Sequence, residues 1–484
     1  MTIVWIICSG VYLVLLLGLC MKVIMDTRSS AKAVAYLLII FLLPLLGASI
    51  YLFFGRNLKR KSLYSKKLGK DKERAALLQK KLESFENLKV LELDKDYDDF
   101  VPTAQMLMSQ HKSILTDANE IKIYKNGEEK FPDLLESIRN AKQHVHIEYY
   151  IYEDDEIGQE LANVLMQKAK EGVKVRFIYD DFGSKDIRKK LVKRMVEAGV
   201  EAYPFYEVIF ILLADRLNYR NHRKIVVVDG EVAFIGGINV SDKYINNGKS
   251  ELYWRDTHMR IKGEAVWTLQ HIFLCDWNFA SGQDLGFEDE FFRKDFELEN
   301  KEKSLIQIAA SGPDSFVPSI LYTYLSAIYA AKDYVYLVTP YFIPGLSFIQ
   351  ALHAAVLRGV KVKLMVPGIS DSVVTNAASF SFYDELMEMG IEVFLYEKGF
   401  VHAKTVVIDD AFFMIGTANL DIRSFEFNFE VNAVVYDKKY AIEMRKSFEE
   451  DLNDCKELTL DIYKNRPLYI RLFERIVRLV SPLM

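Results

Sequence analysis

Residues 222–229 read His-Arg-Lys-Ile-Val-Val-Val-Asp, and residues 402–409 read His-Ala-Lys-Thr-Val-Val-Ile-Asp. Each stretch is followed at the same distance by a glycine and an asparagine, which are Gly236 and Asn239 in the first case and Gly416 and Asn419 in the second. Both copies therefore follow the pattern H-x-K-x4-D-x6-G-x-x-N, with every fixed position shifted by 180 residues (402 − 222). A pattern of this length that recurs in register indicates an internal duplication.

The surrounding sequence repeats with nearly the same offset. Residues 144–151 and 173–179 are short β-rich runs separated by a helical stretch, and residues 334–338 and 359–365 repeat that arrangement 187 to 191 residues later. Strands that alternate with helices are typical of an α/β fold. The sequence therefore predicts two pseudo-symmetric α/β domains, repeat 1 at residues 119–300 and repeat 2 at residues 301–460.

The motif itself predicts a site for phosphate chemistry. Alternation along a strand places the histidine and the lysine, two residues apart, on the same face. A single histidine or lysine at a strand end is usually structural, but the same pair occurs twice here and points to function. One imidazole can attack phosphorus while the other protonates the departing oxygen. Two lysines and two asparagines would stabilise the negative charge on the phosphate.

The N-terminal region is apolar. Residues 3–21 and 33–54 contain no charged side chain, and ~20 such residues are enough to cross a bilayer. A two-helix transmembrane hairpin over residues 1–55 is therefore predicted, with a secretory signal as the alternative for the first stretch. The basic cluster at residues 56–70 predicts that everything after it is cytoplasmic, in a multi-pass protein of the cell membrane. Residues 56–118 are expected to form a charged linker. Within it, residues 56 to about 100 carry Leu and Ala at helical spacing and are expected to form a helix, either close to the membrane surface or simply solvated.

Composition excludes several classes of protein. A net charge of −5 provides no general cationic field for binding nucleic acid. The four cysteines form no CxxC pair and the eight histidines show no HExxH spacing, so no metal or other cofactor is expected.

Two further segments have two interpretations each. Residues 205–214 are expected either in the core or in lipid beside the site, and the basic amphipathic tail at 461–484 either on an anionic membrane or packed as an ordinary helix.

The double motif resembles the phospholipase D superfamily, and the chain as a whole resembles the bacterial cardiolipin synthases. The resemblance includes the apolar N-terminus and several short motifs in the two halves. These are residues 220–224 (Arg-Asn-His-Arg-Lys), 253–256 (Tyr-Trp-Arg-Asp), 311–314 (Ser-Gly-Pro-Asp), 339–341 (Thr-Pro-Tyr), 416–424, 428–430 and the ending at 481–484. The resemblance implies a phosphatidyltransferase that joins two phosphatidylglycerol molecules into cardiolipin and glycerol through a phosphohistidine, at an anionic lipid membrane.

The resemblance also implies roles for individual residues. One histidine is the nucleophile and the other the general acid, and the first position, His222, is expected to attack. The groups expected to bind phosphate are Lys224, Lys404, Asn239 and Asn419. Asp229 and Asp409 complete the catalytic motif and are expected to pair structurally rather than touch the substrate. Asp256 and Glu430 follow the histidines of their own halves by 34 and 28 residues. They are expected to orient His222 and His402, respectively.

One position departs from symmetry, because Arg223 is matched by Ala403. Arg220 and Arg223 are expected to attract an anionic headgroup to the first histidine, whereas Glu430 is expected to keep His402 protonated. Three other functions remain open from sequence: a phospholipase D-type hydrolase, a nuclease of the same superfamily, and a non-catalytic membrane scaffold. The two intact motifs disfavour the scaffold. The apolar N-terminus and the acidic net charge disfavour the nuclease.

Overall fold

The computed structural model describes residues 2–27, 30–54, 95–111, 113–206, 219–248, 252–286, 289–293, 298, 304–315 and 317–480. The basic cluster at 56–70, most of the apolar stretch at 205–214 and the C-terminal residues 481–484 lie outside this part of the chain.

The first half is built on a seven-stranded sheet with the order β1-β8-β6-β5-β2-β3-β4. Its strands are β1 (Asn119–Lys125), β2 (His144–Tyr149), β3 (Lys174–Tyr179), β4 (Glu201–Pro204), β5 (Ile225–Val228), β6 (Val232–Gly236) and β8 (Thr257–Gly263). A short strand, β7 (Tyr253–Arg255), lies outside this sheet. The parallel strands β2, β3 and β4 are joined by helices, as parallel neighbours require.

The second half is built on an eight-stranded sheet with the order β19-β13-β12-β10-β15-β16-β18-β9. Its strands are β9 (Leu305–Ser311), β10 (Tyr334–Val338), β12 (Lys361–Pro367), β13 (Glu392–Tyr396), β15 (Thr405–Ile408), β16 (Phe412–Gly416), β18 (Glu430–Tyr436) and β19 (Cys455–Leu458). Three short strands lie outside it: β11 (Phe342–Ile343), β14 (Gly399–Val401) and β17 (Leu420–Asp421). Apart from β19 at its edge, this order is the first sheet's order read from the other end. The predicted α/β fold of two pseudo-symmetric halves is confirmed.

Helices cover the outer faces of both sheets and also occupy both ends of the chain. The N-terminal helices are α1 (Thr2–Asp26), α2 (Ser30–Leu42), α3 (Pro44–Phe54) and α4 (Val101–His111). Those of the first half are α5 (Asn126–Arg139), α6 (Glu156–Lys170), α7 (Leu191–Glu197) and α8 (Ala265–Ser281). Those of the second half are α9 (Ser319–Ala330), α10 (Leu346–Leu357), α11 (Val373–Glu388), α12 (Ile422–Glu426), α13 (Lys438–Asp451), α14 (Leu460–Lys464) and α15 (Leu468–Val480).

A shared apolar core joins the two halves. The inward faces of the two sheets contribute Val227 and Ile261 from the first half and Val407, Phe413 and Ala433 from the second to one buried cluster. Each half has a further core between its sheet and its outer helices. Burying one sheet against the other orients the two motif strands toward a common interface.

Part of the predicted linker belongs to the second half. Phe100, Ala104 and Leu107 are buried in the same cluster as residues of α9 and α10. The Gln307 side chain also donates hydrogen bonds to the carbonyl oxygens of Ala104 and Ser113, each at 3.1 Å. This end of the predicted linker is therefore a helix packed on the second half.

The second predicted membrane span is divided. A bend at Leu43 separates α2 from α3, because Pro44 has no backbone N–H to continue the hydrogen-bond ladder. Among the residues that the structure describes, no helix combines the length and apolarity needed to cross a bilayer.

Candidate active site

The two motif histidines line a single cavity of about 490 Å³ between the halves. His222 and His402 come shortly before β5 and β15, each of which pairs antiparallel with a central parallel strand, β2 or β10. The side chains of Asn239 and Asn419 lie on the wall of the same cavity. The structure therefore brings together residues separated by 180 positions, as the duplicated motif predicted.

Backbone contacts that cross between the halves hold the histidines in place. The His222 N–H donates to the Phe429 carbonyl at 3.0 Å, and the His402 N–H donates to the Arg255 carbonyl at 2.7 Å. Next to the second contact, β14 pairs in parallel with β7. Phe429 and Arg255 each immediately precede an acidic residue, so these contacts carry the acid of one half to the histidine of the other.

The acids are consequently exchanged between the halves, and the pairing expected from sequence is wrong. Glu430 accepts hydrogen bonds from His222 Nδ1 at 2.9 and 3.0 Å. Asp256 lies 2.6 Å from His402 Nδ1. Spacing along the chain favoured partners within one half, whereas the sheet-to-sheet packing places the other half's acid nearer. With Nδ1 held by a carboxylate, Nε2 of each imidazole is left for the substrate.

The two acids sit in different surroundings. Glu430 also accepts hydrogen bonds from Thr417 Oγ1 at 2.5 Å and from Asn428 Nδ2 at 3.2 Å. The position that corresponds to Thr417 is Gly237, where a Cβ would overlap the Asp256 carboxylate. Asp256 accepts instead from the Thr257 backbone N–H at 2.7 Å. The Thr417 hydroxyl thus donates to Glu430, whereas the lack of a side chain at Gly237 leaves room for the Asp256 carboxylate.

The pKa values of the two acids differ as well. Burial acts to raise the pKa of Glu430, but attraction to His222 and the hydrogen bonds outweigh it, so its pKa lies below its usual value. Burial raises the pKa of Asp256 to about 6, although Lys404 counteracts the shift. Burial also lowers the pKa of both imidazoles, that of His222 to about 4. In the absence of substrate the site therefore holds neutral imidazoles and an ionised Glu430.

The two lysines are fully buried beside their own histidines. Lys224 Nζ donates to the His222 carbonyl at 2.7 Å, and Lys404 Nζ donates to the His402 carbonyl. Burial lowers the pKa of Lys224 to about 7 and that of Lys404 to about 8, with nearby carboxylates opposing the shift. An anion bound between them would restore their full charge.

The asparagines are held by side chains of the cavity wall. Asn239 donates to the Tyr244 hydroxyl at 2.8 Å, and Asn419 donates to Asp421 at 3.2 Å. Within the described part of the chain, the Asn419 Oδ1 atom is buried without a hydrogen-bond partner.

The motif aspartates lie at the far end of the motif strands. Asp229 accepts hydrogen bonds from three consecutive backbone N–H groups, at residues 142–144. Asp409 does the same for residues 332–334. Both have positive φ, of 52° and 53°. They fix the turn that starts each central strand, in agreement with the structural pairing expected for them, and they do not line the cavity.

The prediction for Arg223 is wrong. Its guanidinium is buried and forms an ion pair with Asp276, and its Nε donates to the Glu430 carbonyl at 3.4 Å. A side chain enclosed in this way cannot attract a headgroup from solvent. Arg220, the other arginine expected at the headgroup, does line the cavity, and so does Arg423.

Several wall residues were not predicted. The aromatic rings of Tyr150 and Trp254 lie 4.9 and 5.7 Å from the rings of His222 and His402, respectively. Arg423 of the wall and the buried Thr417 fall within the stretch 416–424 that carries part of the resemblance, but the pattern offered no reason to choose them. Trp254 could have been noticed because it lies two residues before Asp256.

The arrangement of the residues that the structure describes also bears on metal binding. In those ranges, no group of three or more His, Cys, Asp or Glu side chains is arranged to hold a metal ion. The charged side chains among the residues that line the cavity are Arg220, Lys243, Asp371, Asp421 and Arg423.

The chain was compared with known families, curated proteins and solved structures. Residues 134–277 and 324–452 match the family described as "Cardiolipin synthase, PLD-like domain", and residues 12–56 match "Phospholipase_D-nuclease N-terminal". The chain is 40% identical over 464 residues to the major cardiolipin synthase ClsA of Bacillus subtilis (strain 168), covering 95% of each chain. It is 38% identical over 478 residues to a cardiolipin synthase of Staphylococcus aureus (strain N315), covering 98% of this chain and 96% of the relative.

A solved structure supports the fold. The phosphatidylserine synthase of Haemophilus influenzae Rd KW20 superposes with a TM-score of 0.57 at 15% identity, covering 79% of this chain and 100% of that one. At that identity the likeness concerns the fold alone. Together with the full-length relatives and the domain match in both halves, it leads to one conclusion: the chain belongs to the family of bacterial cardiolipin synthases, with two phospholipase D-like domains.

Proposed function

We propose that the chain transfers a phosphatidyl group between two phosphatidylglycerol molecules through a phosphohistidine. The observation that carries the proposal is the pair of imidazoles in one cavity, each anchored at Nδ1 by the other half's carboxylate. Nε2 of one histidine attacks phosphorus, and the bond from phosphorus to the oxygen of the headgroup glycerol breaks. The other histidine gives its proton to that oxygen, and glycerol leaves. A hydroxyl of the second phosphatidylglycerol then attacks phosphorus, returns a proton to the acid histidine and releases cardiolipin.

His222 is the better candidate for the nucleophile. A phosphorylated imidazole that keeps its Nδ1 proton is positively charged, so it needs an ionised partner throughout the life of the intermediate. Glu430 meets that need, because its pKa is low and it has additional donors in Thr417 and Asn428. The phosphodiester anion raises the pKa of His402 when it binds, which lets that residue carry the proton for glycerol. Lys224, Lys404, Asn239 and Asn419 would bind the phosphate oxygens.

The products test the reaction. We expect the purified chain in bilayers of labelled phosphatidylglycerol to form cardiolipin and free glycerol in equal amounts. The same residues would serve a phospholipase D-type hydrolase, which would produce phosphatidic acid instead. Separation of the labelled lipids distinguishes the two reactions, and phosphatidic acid as the main product would contradict the transferase.

The lysines predict how substrate binding depends on pH. Each lysine is charged below its pKa, and the values of about 7 and about 8 apply to the empty site. Raising the pH through this range deprotonates the lysines. Each lysine must then take up a proton again when the phosphodiester binds. We expect KM for phosphatidylglycerol to rise between pH 7 and 9, by up to about tenfold per pH unit for each lysine. Steady-state kinetics at constant ionic strength measures this, and a constant KM would contradict neutral lysines in the empty site.

Location in the cell is part of the proposal. The apolar stretches 3–21 and 33–54 and the basic residues at 56–70 support a multi-pass anchor in the cell membrane with both catalytic halves in the cytoplasm. We expect protease added to intact cells to leave residues beyond 100 uncut, while the same protease cuts them once the membrane is permeabilised. Cleavage in intact cells would place the catalytic halves outside.

A further inference from the structure

Helix α15 exposes an apolar face. Six of its side chains are between 45% and 80% exposed: Leu468, Tyr469, Leu472, Phe473, Ile476 and Leu479. They recur every three or four residues and therefore form one continuous stripe along the helix. A continuous apolar stripe that is exposed on a protein surface marks a site of interaction.

The charged side of α15 faces the protein. Arg475 pairs with Asp384, and Arg478 Nη2 lies 2.6 Å from Glu385, both of α11. Glu474 is buried and pairs with Arg466 at 2.7 and 2.8 Å. Arg475 and Arg478 were expected on a basic face toward an anionic membrane; both pair with carboxylates of α11, and the Arg475 side chain remains 51% exposed. The helix therefore presents its apolar side outward.

Helix α15 packs on a helix that begins at the cavity. Arg475 and Arg478 contact Asp384, Ser381 and Glu385, so α15 lies along the C-terminal part of α11. The other end of α11 starts at the cavity, which Asp371 and Thr375 line.

Exposed apolar side chains continue from α15 toward the mouth of the cavity. Val374 is seven residues before Ser381, and hence lies on the same side of α11 and ~10 Å beyond it. Val373 and Val374 are 78% and 45% exposed.

We propose that this surface, the α15 stripe with Val373 and Val374, docks on the lipid bilayer that holds the substrate. The choice of a bilayer rests on the proposed function. A cavity of about 490 Å³ is large enough for the headgroups of two lipids, but it is of the size that encloses a drug-sized molecule, so the acyl chains must stay outside. An apolar surface beside the mouth keeps those chains in the membrane while the phosphate reaches His222. The stripe contains no charged side chain, which fits the acyl region better than a polar protein partner.

Photo-crosslinking tests the docking in the full chain. The protein is reconstituted into phosphatidylcholine bilayers that contain phosphatidylglycerol with a diazirine in its acyl chain, and the cross-linked tryptic peptides are mapped by mass spectrometry. We expect lipid on the peptides covering residues 472–478. The matched reference is Tyr329, which is 51% exposed near the end of α9 and lies on a tryptic peptide, residues 304–332, that contributes no residue to the cavity wall. Its peptide should carry no lipid.

A pair of variants tests the consequence for activity. The double substitution Leu472→Glu and Ile476→Glu changes only exposed side chains, so folding should be unaffected, and Tyr329→Glu is its control. We expect the double variant to lose the lipid label on α15 and to transfer at least tenfold more slowly from bilayer phosphatidylglycerol. With a short-chain, monomeric phosphatidylglycerol it should match the unmodified chain. The control should behave normally with both substrates.

Three results would overturn the docking: no lipid on α15, undiminished transfer by the double variant from bilayers, or cross-linking of α15 to a second copy of the chain. Failure of the proposed reaction would look different. In that case the unmodified chain would make no cardiolipin from either substrate, whatever the labelling of α15.

Discussion

Replacing His222 with alanine is expected to abolish both cardiolipin formation and the covalent phosphatidyl intermediate. The nucleophile is lost, and the Lys and Asn side chains that remain cannot replace it. His402→Ala should also stop turnover, because glycerol would have to leave as an unprotonated alkoxide. Loss of either group should lower the rate on the order of 10³-fold or more. The two variants should differ in one respect: His402→Ala keeps the group that forms the phosphorus–nitrogen bond.

The measurement is a rapid quench with phosphate-labelled phosphatidylglycerol, followed by mapping of the labelled peptide. Label is expected on the peptide that contains His222 in the unmodified chain and nowhere in His222→Ala. The control is His353→Ala, a histidine of α10 that does not line the cavity. Circular dichroism should show that all three variants are folded. Label on the His402 peptide would reverse the roles, and near-normal turnover by either active-site variant would contradict the paired mechanism.

Glu430→Gln is expected to lower transfer on the order of 10²- to 10⁴-fold by acting on the first histidine, although Glu430 belongs to the second half. A glutamine can turn its NH₂ toward His222 Nδ1, which favours the tautomer with the proton on Nε2 and removes the attacking lone pair. It also withdraws the negative charge that stabilises the phosphorylated ring. Asp256→Asn should act on His402 and slow glycerol release while leaving His222 able to attack.

Single-turnover kinetics separates the two acids. Glu430→Gln should suppress the labelled intermediate, whereas Asp256→Asn should allow labelling of His222 at a reduced rate. Glu426→Gln is the matched control, since Glu426 is an exposed carboxylate four residues before Glu430. If Asp256→Asn and not Glu430→Gln suppressed the label on His222, the acids would act within their own halves and the geometry described above would not be the working one.

Local sequence was a good guide wherever one strand or turn settles the structure. The run Ile225–Val228 is apolar and β-branched, and it forms the buried strand β5. The turns after it place Asp229 at positive φ, where it caps the start of β2. The helix at 101–111 was misjudged, because its polar residues hid the few apolar contacts through which it packs on the second half.

Sequence by itself determined that the chain is duplicated, that each half is α/β, and which residue types each half brings to the phosphate. Aligning the two repeats shows these features, because each of them depends on residues that are close to one another in the sequence. Only the tertiary structure decided which acid serves which histidine, that Arg223 is buried, and that α15 turns its apolar side outward. These depend on how two sheets and two helices pack, and therefore on contacts between residues that the chain separates by up to 208 positions. The apolar pattern of each element permits such contacts, but their partners are selected by the shape of the assembled core.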